Sequence, residues 1–276
     1  MEQKKVRISP AYRRQEDLLR QKVLSASLPF EKKLSYHRTR LVSSVGKALT
    51  ELPPAEWEGY VRDMVKEPYL QKWFREMYWA AGQPAGERAI RNFFNIKGEA
   101  ADSWEWALQD WIRREAGNKI VLVEGSMKNW LVDYLRHYLD ANNDLGTEQI
   151  IRNIQEDIMK QWKDVRQWQI RRIVQTESLT AMSEASDVAI KGLGINYSKT
   201  WGISGHNTRE AHLAMDGITI DQHQLFKVGL EDMEYPRDNK HGASAANIIN
   251  CRCYCIRKPL NSRGEAITDD DLLSMI

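Results

Sequence analysis

The chain has 276 residues, 42% hydrophobic and 28% charged, with 40 Lys and Arg against 38 Asp and Glu. A folded chain of that length hides roughly three quarters of its unfolded surface, so one or two packed domains are expected and whole-chain disorder is excluded. No window of about 18 apolar residues is free of charge, the amino terminus has no apolar signal core, and three cysteines cannot build a disulfide framework, so a soluble protein in a reducing compartment is expected.

The net charge of +2 is unevenly divided, because residues 1–50 hold 12 Lys and Arg against 4 Asp and Glu. This predicts a basic amino-terminal arm with helical patches, in which Leu18, Leu19, Val23 and Leu24 recur at helical spacing. Pro53 and Pro54 end it, and a tryptophan-rich helical region follows over 51–118. Its first helix carries Trp57, Tyr60, Val61 and Met64. After Pro68 the stripe continues through Tyr69, Leu70, Trp73, Phe74, Met77 and Tyr78. Gly82-Gln-Pro-Ala-Gly86 reads as a loop, and a helix bearing Trp104, Leu108, Trp111 and Ile112 is expected to stop at Gly117. Aromatics at this spacing read as core or as a protein interface rather than as stacking platforms for bases.

Beyond Lys119-Ile-Val-Leu-Val123, three helices are expected between 126 and 191. Ser126 caps the first, with Trp130, Leu131, Tyr134, Leu135 and Tyr138 on one face. Thr147 caps the second, with Ile150, Ile151, Ile154, Ile158 and Trp162 inward. The third runs from about 165 to 191 and closes at Gly192. From 195 the period changes to two, since Ile195, Tyr197, Lys199, Trp201 and Ile203 alternate with smaller polar residues, predicting a strand with one apolar face. A short helix over 208–215, a turn at Asp216-Gly217, a strand at 218–220, a long loop over 221–243, one helical turn at 245–249 and a final strand from Asn250 complete a β-rich segment to 256. An acidic tail is expected over 257–276. The fold class is α+β: a helical amino-terminal region and a helical core with a small β-rich carboxy-terminal subdomain.

Residues 206–255 hold the densest chemistry: His206, Arg209, His212, Asp216, His223, Asp238, His241 and Cys251, Cys253 and Cys255. The three cysteines share a face in an extended segment, and a Cys-x-Cys pair with imidazoles is a soft donor set for zinc, with His212, Cys251 and Cys253 as the ligands. The spacing matches no standard finger and no His-Glu-x-x-His helix, so the cysteines are read as buried reduced thiols, with zinc as the alternative. There is no nucleophile elbow, phosphate loop or paired-carboxylate signature. The chain is therefore read as no enzyme, without a small-molecule substrate. The alternative is a metal-dependent hydrolase or nuclease built on His212, His223, Cys251 and Cys253.

The order of motifs over 119–256 is itself specific. Asn143-Asp-Leu-Gly-Thr-Glu-Gln-Ile150 precedes Arg172-Ile-Val-Gln-Thr-Glu177, then Lys199-Thr-Trp201, Thr208-Arg-Glu-Ala-His212, Met215-Asp-Gly217, Pro236-x-Asp238 and Asn250-Cys-Arg-Cys253. In this order the segment resembles the phage head morphogenesis domain of the Mu protein F-like minor head proteins. The matched positions include Thr176, Glu177, Trp201, Arg209, His212, Asp216, Gly217, Pro236, Asp238, Asn250, Cys251, Arg252 and Cys253. The resemblance implies a minor head protein that associates with the portal and other capsid proteins during procapsid assembly, in the bacterial host cytoplasm and then inside the virion head. It also implies a part in DNA packaging or ejection, and DNA contact through the basic arm is the alternative. Many relatives carry Cys-x2-Cys and His-Pro where this chain has Arg209, His212 and Ile248-Ile249, and Gln175 replaces their usual arginine. The resemblance thus implies no cofactor, with a polar network in place of zinc. In that network Glu177 is expected to pair with Arg209 or Arg252, and His212 with Asp216 or Asn250.

Overall fold

The computed structural model describes residues 4–63, 68–93, 100–205, 207–260 and 264. The fold is α+β. In chain order it runs β1 (Lys4–Lys5), α1 (Pro10–Leu49), a 3-10 turn (Pro54–Glu56), α2 (Trp57–Asp63), α3 (Pro68–Phe93), α4 (Ala100–Ala141) and α5 (Thr147–Gly192). Then come β2 (Tyr197–Gly202), α6 (Glu210–Ala214), β3 (Ile218–Asp221), β4 (Phe226–Val228), β5 (Glu231–Met233), α7 (Ala245–Ile248) and β6 (Tyr254–Pro259). Among the described residues no helix is long and apolar enough to cross a membrane.

The helices are longer than the sequence punctuation predicts. Where the sequence predicts helical patches, α1 is one 40-residue helix with Val23, Val42, Val45 and Leu49 fully buried. The expected loop at Gly82–Gly86 lies inside α3, and Gly117 and Ser126 lie inside α4 rather than at its ends. The two helices expected over 147–191 are one helix of 46 residues. Glycine inside a helix costs about 1 kcal/mol relative to alanine, and at two of these positions close packing explains it. A Cβ on Gly82 would stand 3.1 Å from Leu108 and 3.2 Å from Ala185, and one on Gly86 would stand 2.2 Å from the Trp104 ring. Met64 and the acidic segment at 269–271 lie outside the described residues.

Two compact units interleave along the chain, so their boundaries differ from the composition boundaries at 50, 118 and 256. One comprises Pro29–Arg75 and Arg113–Arg171. It is a helical body in which Leu41, Val42, Val45 and Leu49 of α1, Trp57 and Val61 of α2, Leu131 and Leu135 of α4, and Ile154, Ile158 and Trp162 of α5 share a core. The predicted stripes supply these residues at i, i+3 and i+4. Trp130 lies 5.0 Å from Trp162 between ring centroids and stacks on Tyr134, so these aromatics pack on one another. Arg38 is buried, with its guanidinium 5.9 Å from the Trp162 ring, and burial lowers its pKa to about 10.

The other unit comprises Met1–Leu28, Glu76–Ile112 and Arg172–Ile276. Its four-stranded antiparallel sheet has the order β1-β3-β2-β6, with Thr200 opposite Thr219 and Trp201 opposite Cys255. All six residues of β2 are buried, so the strand is covered on both faces and not on one as alternation predicts. Even Lys199 is fully buried, its ammonium donating to the Gln224 carbonyl at 2.7 Å. The expected loop over 221–243 contains a β4–β5 hairpin. Arg257, Lys258 and Pro259, assigned by sequence to the acidic tail, complete β6. Gly217 has φ +79°, and a Cβ there would stand 2.3 Å from the Val6 carbonyl oxygen, so glycine lets the first strand join the sheet edge. Between the sheet and the hairpin, Trp201, Met215, Ile220, Phe226, Val228 and Met233 form a small core.

Substituting Gly86→Ala is expected to lower equilibrium stability by about 1–3 kcal/mol, because the Trp104 ring must move. Gly59→Ala, on an exposed site with nothing near its Cβ, is expected to be neutral or to stabilise by up to about 1 kcal/mol. Urea unfolding of the two variants checks both.

Candidate functional site

Within the second unit, α5 is buried continuously from Thr176 to Ala185, although six of those ten residues are polar. A buried polar group must be hydrogen-bonded and a buried charge paired, so each side chain here draws a partner toward the helix. The Tyr78 hydroxyl donates to Glu177 at 2.7 Å. The Asn250 backbone N–H donates to Thr176 Oγ1 at 3.2 Å. Glu184 accepts from the Tyr235 hydroxyl and from Lys240, whose ammonium is 2.8 Å away. Asp187 accepts from Arg257 at 3.0 Å and pairs with Lys191 at 2.7 Å. Burial pushes the Asp187 carboxyl up, but the Arg257 and Lys191 cations overcome this and hold it below its ordinary range. Burial wins at Glu184, whose pKa is raised.

The same frame carries the cysteine segment. Arg237 is 1% exposed, and its Nη1 donates to the Cys251 carbonyl at 2.9 Å and the Cys253 carbonyl at 2.7 Å. Its Nη2 donates to Ser183 on α5 at 2.6 Å. Pinned at both carbonyls, the segment alternates: Cys251 and Cys253 are buried and Arg252 is exposed. His212 on α6 completes the cluster, with Nδ1 at 3.4 Å from Cys253 Sγ and 3.5 Å from Cys251 Sγ, and its ring edge-on to Trp201. The Cys251 thiol is shifted well below its usual range by the hydrogen bond from Cys253, by His212 and by the Arg237 guanidinium, whereas Cys253 is shifted up by donating that bond and by burial. Among the described residues His212, Cys251 and Cys253 are the group that could hold a metal, with ligand atoms within 4.8 Å of one another. They floor a pocket of about 260 Å³, lined also by Ser204, Asn207, Arg209, Asn250 and Arg252.

The expected network has different partners. Both His212 ring nitrogens are engaged, one by the sulfurs and one by Asn247 Oδ1 at 3.0 Å, so neither Asp216 nor Asn250 takes them. Asp216 instead receives both Arg13 amino groups, at 2.8 and 3.2 Å, and the Ile203 N–H. Arg209 donates to the Ile249 carbonyl. Asp238, next to buried Pro236, caps its own turn by accepting from the Glu234 and Lys240 N–H groups and from His241. Gly217 donates its N–H to the Trp201 carbonyl. His223 is exposed beside Gln222 and stands outside the cluster, as does Cys255. His206 lies outside the described residues. Sequence reasoning missed Arg13, Ser183, Asn247 and above all Arg237, the variable position inside the quoted Pro-x-Asp motif. No family model matches the chain, and neither a curated protein nor a solved structure matches it.

The folded Asp187 carboxyl titrates below its unfolded value of 3.8, so the stability it supplies is complete above that pH and is lost as pH falls through the folded pKa. Asp187→Asn, which strands Arg257, is expected to cost about 3–5 kcal/mol at neutral pH. The deficit relative to the unmodified chain should shrink below pH 3.8. Unfolding curves collected across pH for both chains measure this.

Proposed function

We propose that this chain is a phage or prophage minor head protein, which associates with the portal and other capsid proteins and acts in procapsid assembly and in DNA packaging or ejection. The observation that carries the reading is the ordered motif series from Asn143 to Cys253, together with the work those residues do. Thr176, Trp201, His212, Gly217, Asn250, Cys251 and Cys253 bond or pack with one another across up to 74 positions of sequence. Asp216 ties Arg13 of α1 to the Ile203 backbone, and Asp238 closes its own turn. Residues spent on holding a subdomain together suit an assembly part. The proposed locations are the host cytoplasm during assembly and the head interior afterwards.

A second reading, DNA contact, rests on α1. Its exposed side chains include Arg14, Lys22, Lys32, Lys33, Arg40 and Lys47, while its acidic residues Glu16, Asp17 and Glu31 are each paired with an arginine. Because α1 supplies core residues, deleting 1–50 would unfold the chain and test nothing. Charge reversal of Lys33, Arg40 and Lys47 together is the clean test. It should abolish a DNA mobility shift whose affinity falls steeply with salt, and an unchanged shift removes α1 from the reading.

For the main reading, the tagged chain is expressed in a host with the phage induced, and particles are sized and identified by mass spectrometry. Portal and major capsid subunits are expected with it in procapsid-sized particles. Recovery of the folded chain free of any capsid component contradicts the reading.

A further inference from the structure

We propose that His212, Cys251 and Cys253 form a binding centre for a zinc-class cation, with three ligands among the described residues and a fourth coordination position facing the adjoining pocket. The proposal is independent of the head-protein reading, and it departs from the resemblance, which puts a polar network in the metal's place.

The argument begins with the imidazole. Asn247 donates from Nδ2 to Glu231 Oε2 at 2.8 Å, and an ionised carboxylate only accepts, so this bond fixes which way the amide points. Its Oδ1 must then face His212, and it can only accept. The 3.0 Å contact therefore places the imidazole hydrogen on Nε2 and leaves the Nδ1 lone pair aimed at the two sulfurs. Such a relay, an imidazole N–H bonded outward so that the opposite nitrogen is free to bind, is the usual support of a metal-ligating histidine.

The sulfurs meet that lone pair at distances suited to an ion. With Zn–S of about 2.3 Å and Zn–N of about 2.0–2.1 Å, tetrahedral angles put nitrogen and sulfur about 3.6 Å apart. The two separations here are 3.4 and 3.5 Å. Without an ion, one ring nitrogen is shared between two sulfurs. With one, each of the three donors has its own bond. Arg237 supplies the positioning on the other side, since its hydrogen bonds to both cysteine carbonyls keep alternate side chains turned inward. Two sulfurs and one imidazole are a soft to borderline set that selects zinc over magnesium or calcium.

Among the described residues no fourth side chain joins the three. On the open side lies the 260 Å³ pocket, whose rim carries Asn250, Arg209 and Arg252. A fourth position facing such a pocket takes water or a small anion, and this separates the centre from a closed four-ligand structural zinc.

The test uses the full chain, stripped with a chelator under reducing conditions and titrated with cobalt(II), whose spectrum reports ligand type and coordination number. Thiolate-to-cobalt charge-transfer absorption should saturate at one equivalent, with the intense visible bands of four-coordination. Zinc should displace the cobalt. Cys251→Ser and Cys253→Ser should each lose the stoichiometric signal, whereas Cys255→Ser should keep it. Asn247→Leu, a change at a positioning residue, should weaken binding about 10–100-fold with the spectral shape retained. Cyanide should shift the visible bands by entering the fourth position. A chain with native circular dichroism and no saturable charge-transfer band overturns the centre, as does equal loss in Cys255→Ser. A band shape indifferent to cyanide overturns the open position.

Discussion

The constraint on which the rest depends is a helix that is buried where it is polar. Between Thr176 and Asp187, α5 carries Glu177, Ser183, Glu184 and Asp187, each less than a tenth exposed. A helix hidden on all sides is ordinarily apolar. Here burial is tolerable only because the surrounding elements deliver partners: Tyr78 from α3, Tyr235, Arg237 and Lys240 from the loop after β5, and Arg257 from β6. The carboxy-terminal region is thus required by the helix as much as it requires the helix. Packing alone would allow it to slide, whereas buried charge pairs fix a single register.

Arg237 ties that frame to the cysteine cluster. One guanidinium touches Ser183 on the helix and the carbonyls of Cys251 and Cys253. The orientation of the sulfurs is therefore set from the helix side, while His212 is set from the opposite side by Asn247 and Glu231. The three donor atoms are thus held in place by the protein's own hydrogen bonds. The amino terminus takes part in the same unit: Arg13 grips Asp216, and Val6 meets Gly217 backbone to backbone. That is why a segment that looks separable by charge is not separable by structure.

What was legible in the sequence follows from what each pattern encodes. Stripes such as Ile150, Ile154, Ile158 and Trp162 encode a helix face directly, and those residues are buried together. The period-two run from Ile195 to Ile203 encodes a strand, and Tyr197–Gly202 within it forms one. Punctuation was less dependable, because glycine has two uses. Past the end of α5 it takes a left-handed turn at Gly194, two residues beyond the predicted Gly192, but at Gly82 and Gly86 it lets another helix approach, and only the neighbour tells the two apart. Charge was the least legible property. Arg237 and Arg257 are indistinguishable in sequence from the exposed Arg209 and Arg252, since the carboxylate or carbonyl that justifies their burial lies up to 70 positions away. The cluster itself was visible as residue types, but the partners that orient it, Asn247 and Arg237, lie at no fixed spacing from it.

The most direct test of the central claim is a double-mutant cycle on Arg257 and Asp187, read by equilibrium unfolding. If buried pairs fix the carboxy-terminal region to α5, Asp187→Leu, which strands the buried Arg257, should cost about 3–5 kcal/mol, and Arg257→Met, which leaves Asp187 its Lys191 partner, should cost less. The double variant should then cost far less than the two losses combined. Additive losses, or single losses within about 0.5 kcal/mol of zero as at ordinary surface sites, would contradict it.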